Sequence, residues 1–262
     1  MRETRMQKAG IHCRHFLKNH YFSKMKRLSA LLIFLLTGYY ISAQTEHVSS
    51  FNAVTVTYKI HPKYFIYAEG QLRGIEDYSY PDYYEIKGGV GYNLTKNHKP
   101  FIGIGRYGTY KDHLMDKEEF RVWLQDVIDV KAGKFKLENR FRAEKSWFYE
   151  PKKDAHSDRI RLRYRLNVSV PLNSESVKPG TLFANAYDEV FFVTTEKPLF
   201  ARNRVFGGFG YQIDENFGIA SGYLWQREFA QLGNRNLHFL YLALNITIDD
   251  SDDKHYHFPG AD

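Results

Sequence analysis

The chain of 262 residues has a single cysteine, Cys13. It can form no internal disulfide, and a thiolate metal site or thiol nucleophile downstream of residue 13 is excluded. A long apolar run is also missing. The longest, residues 28–36, is too short to cross a bilayer as a helix, which takes about 20 residues. It reads instead as the centre of a cleavable export signal over residues 25–43, with Lys26 and Arg27 in front and small residues leading to Ala43 behind. No cysteine stands at that cleavage point to carry a lipid anchor. Residues 1–24 then lie upstream of a start at Met25, or form an extended basic leader.

Net charge disappears with the leader. Residues 1–43 hold eight of the 37 basic residues and one of the 30 acidic ones, which leaves 29 of each sign in the remainder. A nucleic-acid partner is therefore not expected, because that function needs a basic surface on the mature protein. Helical periodicity is absent from Gln44 onward. Gly103-Ile104-Gly105 and Gly207-Gly208-Phe209-Gly210 thus precede no helix N-terminus that could hold a phosphate. His255-Tyr256-His257 is a pair of tail histidines, not a metal-site pattern, and no cofactor is expected. Ser221 and His238 are the nearest approach to a hydrolytic pair, and no acid is placed to orient the histidine. No catalytic residue is assigned.

What is present is alternation. Residues 159–170 place Ile160, Leu162, Tyr164, Leu166, Val168 and Val170 at even positions, and Arg159, Arg161, Arg163, Arg165, Asn167 and Ser169 at odd ones. A strand sends successive side chains to opposite faces, so this run has one oily face and one basic face. Its twelve residues exceed the usual soluble strand of about 5–6 and suit a bilayer-crossing strand of roughly 9–11.

Eleven such runs follow one another, at residues 51–60, 64–75, 83–94, 101–110, 119–131, 135–148, 159–170, 181–193, 202–212, 217–228 and 236–248. Short turns at 61–63, 95–99, 132–134 and 214–216, with a longer member at 173–180, alternate with polar loops at 76–82, 111–118, 149–158, 194–201 and 229–235. That alternation, and aromatics near strand ends (Tyr83, Tyr92, Tyr110, Trp147, Phe148, Tyr211, Trp225), predict an all-β, transmembrane, antiparallel up-and-down barrel. The expected domain spans residues 44–248 and has 10–12 strands. Twelve are preferred because single-chain bacterial barrels have even counts, the extra strand falling near residues 45–50. Residues 249–262 form an acidic tail expected to be disordered.

In a membrane barrel the polar face lines the lumen. The expected lumen network is Glu69, Arg73, Glu85, Lys87, Glu138, Arg140, Arg142, Glu144, Arg161, Arg163, Arg165, Glu189, Arg202, Arg204 and Glu228. Paired across strands, these residues brace the wall, since buried charge is tolerated only when paired. Arginine outnumbers acid on the sixth, seventh and ninth runs, which suits an anion-attracting pore or binding cavity.

The motifs Phe51-Asn52-Ala53-Val54-Thr55-Val56 and Glu69-Gly70-Gln71-Leu72-Arg73 open a wider likeness. So do Leu137-Glu138-Asn139-Arg140-Phe141-Arg142 with Arg161-Leu162-Arg163-Tyr164-Arg165, then Ala186-Tyr187-Asp188-Glu189-Val190-Phe191-Phe192, and Gly222-Tyr223-Leu224-Trp225-Gln226-Arg227-Glu228. Over residues 51–248 the chain resembles the DUF2490 family. The resemblance implies an outer-membrane barrel of unknown role, with lipid bilayer and the outer-membrane assembly machinery as partners. The expected function is structural, or the passage or binding of a small anionic or amphipathic solute. A membrane lipid hydrolase and a secreted soluble β-sandwich are the alternatives.

Overall fold

The computed structural model describes residues 48–74, 81–231 and 233–251. The expected leader, the acidic tail beyond residue 251, and His47, His255 and His257 lie outside them. Among the described residues the only helical element is a single 3-10 turn, Pro151–Lys153. Eleven strands make up the rest: β1 Val48–His61, β2 Tyr64–Gly74, β3 Tyr83–Tyr92, β4 His98–Lys111, β5 Leu114–Ala132, β6 Phe135–Glu150, β7 Ala155–Pro171, β8 Thr181–Val193, β9 Phe200–Gln212, β10 Phe217–Glu228 and β11 Arg235–Asp249. Each pairs antiparallel with its neighbours in sequence, and β1 closes on β11. One sheet wraps into one barrel, so the two-sheet sandwich does not describe this chain.

The preference for twelve strands is corrected. Residues from Val48 onward extend β1 and form no strand of their own. With an odd count in an up-and-down meander, the first and last strands must run the same way. The β1–β11 seam is accordingly parallel, with Phe51 opposite Tyr241 and Ala53 opposite Ala243. The start of β1 and the end of β11 then lie at opposite rims, where an even count would bring them to one.

The expected contrast between loop lengths is also reduced. The loop expected at residues 111–118 is a two-residue turn, Asp112-His113, with φ of 52° and 62°. Left-handed residues at both central positions suit a hairpin whose strands twist normally, and Asp and His tolerate that conformation better than most side chains. The loop expected at 149–158 shrinks to the 3-10 turn and Asp154 (φ 48°). At 19 residues β5 is the longest strand, about 60 Å at roughly 3.3 Å per residue. At the other end β11 runs on through Asp249, which accepts a salt bridge from Lys59 Nζ at 2.6 Å, and Tyr58 donates to Asp250 at 3.0 Å.

Inside and outside are inverted relative to a soluble protein. On β7, Leu162 is 46% exposed whereas its neighbour Arg161 is 5% exposed. Among the described residues thirty-four large hydrophobics are exposed, including Ile86, Ile104, Leu124, Leu162, Phe209 and Leu242 on successive parts of the outer wall. Monomeric soluble proteins rarely carry contiguous apolar surface on that scale. Of the seven aromatics expected at strand ends, Tyr83 and Phe148 share the inward face: Tyr83 lies under the Arg73 guanidinium at 4.7 Å, and Phe148 is buried.

The interior has two halves. Around the seam, Phe51, Ala53, Phe206, Leu224, Phe239 and Ala243 form a buried apolar cluster, with Tyr187 and Tyr241 packed against it. Phe51 meets Phe239 edge-on at 5.9 Å and Tyr241 at 5.1 Å. The glycines that resemble phosphate loops serve packing. A side chain at Gly103 would collide with the Trp123 ring, and one at Gly208 would collide with the backbone of β10. The opposite half is charged.

Candidate functional site

The charged half is built by register. β6 and β7 pair so that Glu144 faces Arg161, Arg142 faces Arg163 and Arg140 faces Arg165. Two of these three steps set arginine directly against arginine, which repels. Carboxylates reaching across the rows offset the repulsion. Glu144, on β6, is fully enclosed. It accepts from Arg161 Nε at 2.6 Å and from Arg163 Nη1 at 2.7 Å, with Arg142 at 3.5 Å and Arg121 at 3.8 Å. Glu189, on β8, accepts from Arg140 and from Arg163 Nη2 at 2.7 Å, and Arg204 lies 3.7 Å away. Arg163 thus bridges the two central carboxylates.

The other expected residues flank this centre. Arg73 donates to Glu85, and Lys87 sits between Glu85 at 2.6 Å and Glu69 at 3.0 Å. Toward the turn-side rim Arg165 pairs with Glu138 at 2.5 Å. Toward the loop-side rim Arg202 pairs with Glu228 at 2.5 Å. All fifteen residues therefore face the interior, and every one has an oppositely charged partner within 4 Å. The two flanking pairs are half-buried and the centre is closed.

Several members of the network lie outside the expected set. Glu119 and Arg121, both buried on β5, bind each other at 2.7 Å. They were legible in the sequence, since they alternate with the outward Phe120, Val122 and Leu124. Trp123 on the same inward face interrupts the polar pattern there. Gln71, Gln125 and Gln226 accept from Arg73 (2.6 Å), Arg142 (2.8 Å) and Arg204 (2.7 Å). Phe191, 1% exposed, is ringed by four guanidinium groups: Arg163 at 4.5 Å, Arg204 at 5.3 Å, Arg202 at 5.4 Å and Arg161 at 5.5 Å. The negative face of an aromatic ring attracts each of them, most strongly where water is excluded.

Charge in the network does not balance. Ten cations (Arg73, Lys87, Arg121, Arg140, Arg142, Arg161, Arg163, Arg165, Arg202, Arg204) share seven carboxylates (Glu69, Glu85, Glu119, Glu138, Glu144, Glu189, Glu228). A polar cavity of about 40 Å³ opens among these side chains, between β2–β3 and β7–β9.

The hydrolytic pair is not assembled. Ser221 and His238 both lie on the outer wall, but Ser221 is opposite Leu242, four residues along β11 from His238. That is about 13 Å at the rise of a strand. His238 meets the Tyr223 hydroxyl instead.

A closed up-and-down barrel, antiparallel except at its β1–β11 seam, with an apolar outer wall and an ion-paired interior is the class that this geometry defines. The chain belongs to the DUF2490 family, a family of proteins of unknown function, whose model matches residues 48–236. No curated protein matches the chain. The matched span runs from the first residue of β1 to the second residue of β11, so it takes in nearly the whole barrel.

Proposed function

We propose that this protein is a non-enzymatic outer-membrane β-barrel whose lumen is held shut by its charge network, and that it binds a small anionic solute there. On this reading residues 25–43 are its export signal, and the outer-membrane assembly machinery inserts it. The observation that carries the reading is the inversion on β7, where Arg161 and Arg163 enter a closed network while Ile160 and Leu162 stand on the exposed wall. Charge inside and hydrocarbon outside suits a bilayer and no aqueous compartment. Bulky aromatic residues and salt-bridged arginines fill the interior, as expected of a narrow barrel, and this favours solute binding over free diffusion.

Membrane fractionation and heat-modifiable gel migration test the placement. The protein should resist extraction by salt and should run as a compact band until boiled; release into the salt wash would sink the reading. In planar bilayers the folded barrel should stay silent at potentials where open porins conduct. Steady unitary conductance would replace the closed lumen with a pore. The lipid-hydrolase alternative predicts phospholipid release that Ser221→Ala abolishes; the separation of Ser221 from His238 disfavours it.

A further inference from the structure

We propose that the interior cavity holds one small inorganic anion, a halide or a single tetrahedral oxyanion such as phosphate, as a built-in counter-ion of the barrel. The inference deepens the solute-binding reading above and rests on it, but it needs only the folded barrel and not its location.

Eleven described residues line the cavity, and seven are cations, among them Arg73, Arg121, Arg161 and Arg204. Its one carboxylate, Glu85, is already taken: Arg73, Lys87 (2.6 Å) and the Tyr83 hydroxyl (3.1 Å) all donate to it. The surrounding network carries three more cations than carboxylates. Buried charge without a counter-charge is among the costliest arrangements a protein can adopt. Arginine keeps its proton under ordinary conditions, so proton loss offers little relief. One anion in the cavity offsets one of the three excess charges as a halide, or up to about two as a phosphate, and guanidinium groups supply forked N–H donors for it. Arg204 has the least settled place in this ring. Its Nε and Nη2 donate to the neutral Gln226, and its nearest carboxylate, Glu189, is 3.7 Å from Nη1.

Size sets the class of ligand. A water needs roughly 10–15 Å³ of such space, so a cavity of about 40 Å³ takes a few waters or one small anion and excludes an organic solute. Phe191 closes one side and gathers four of the guanidinium groups about its ring, which fixes the site without adding negative charge of its own.

The test uses the whole mature barrel in detergent, dialysed into a buffer whose only anion is a bulky sulfonate. Chloride, bromide or phosphate is then titrated in at constant ionic strength, and the temperature of the heat-modifiable transition is read. A saturable rise with the small anions, with bromide visible by anomalous scattering in the cavity, is the expected result. Arg204→Gln should weaken the apparent affinity at least tenfold, whereas Arg204→Lys should keep most of it. Equal transition temperatures in every anion, or an Arg204→Gln response identical to wild type, would overturn the proposal. The compact gel band is scored on the same samples. A missing band marks failure of the barrel itself, and a compact band without anion response marks failure of the anion site alone.

Discussion

Replacing Glu144 with glutamine removes one charge and almost no volume from the most enclosed point of the network. Arg161 and Arg163 donate to this carboxylate at 2.5–2.7 Å, and Arg142 and Arg121 stand within 3.8 Å of it. Its side chain has no exposed surface. Removing one member of a buried pair leaves the other charged and unsolvated, at a cost of about 3–5 kcal/mol. Here one carboxylate serves four cations in a network already short of negative charge, which points to the upper part of that range. Against a total stability of about 5–15 kcal/mol this is a large fraction. Taking roughly 2–4 °C per kcal/mol for a domain of this size, the transition should fall by about 6–20 °C. The assay is the loss of the compact gel band with temperature, paired with urea unfolding in detergent. Glu138→Gln is the internal comparison. Among the described residues Glu138 makes one ion pair within 4 Å, with Arg165, and both side chains are 22% exposed, so its loss should cost closer to 1 kcal/mol. Removing Arg161 together with Glu144 should recover part of the loss, by a coupling of about 0.5–3 kcal/mol. If Glu144→Gln unfolds with Glu138→Gln, or within about 1 kcal/mol of wild type, the network does not brace the wall and the reasoning fails.

Three further outcomes follow from the same geometry. Leu162→Arg puts a charge on the outer wall; it should destabilise the bilayer-inserted barrel by about 2–4 kcal/mol, measured by unfolding from vesicles, and far less in short-chain detergent. Gly103→Val drives a branched side chain into the Trp123 ring and should cost about 1–3 kcal/mol through overpacking, with near-ultraviolet circular dichroism reporting the displaced indole. Ser221→Ala should leave stability and phospholipid release at their wild-type values, and a drop in release would revive the hydrolase alternative.

The strands were legible because the two faces of this barrel differ so sharply. Arg161 beside Leu162, or Glu189 beside Val190, declares an inward and an outward position wherever the period is two. All eleven expected runs correspond to strands. Connections were harder to read, because Asp112-His113 carries neither glycine nor proline and still makes a two-residue turn, with Met115 and Lys117 continuing the ladder opposite Tyr110 and Thr109. The fifteen expected network residues were identified by the alternation of their own runs. Glu119 and Arg121 were missed because Trp123 shares their face, and a large inward aromatic looks like an outward one until register is known. No local pattern could reveal that Arg163 joins carboxylates from two different strands, Glu144 on β6 and Glu189 on β8. That pairing depends on stagger between strands.

The buried apolar cluster coincides with one part of the parallel seam. Ten antiparallel steps bring β1 and β11 together in parallel, and parallel pairing is slightly weaker per residue than antiparallel. One part of the seam interior is apolar: Phe51 packs on Phe239 and Tyr241 across it, with Phe206 and Leu224 behind, while Thr55–Asn245 and Lys59–Asp249 follow toward the other end. Dispersion and burial are tolerant of small shifts, so an aromatic cluster can hold a joint whose hydrogen bonds are slanted. Salt bridges are not tolerant, because a displaced guanidinium becomes an unpaired buried charge. The central network sits on β2–β10, within the antiparallel part of the wall, and the seam carries one exposed ion pair at its end, Lys59–Asp249. The Arg73 guanidinium marks the boundary, lying over the Phe51 ring at 4.1 Å while donating to Glu85. The charged centre lies away from the aromatic part of the seam, and the cationic cavity lies with it, among β2, β3, β5 and β7–β9.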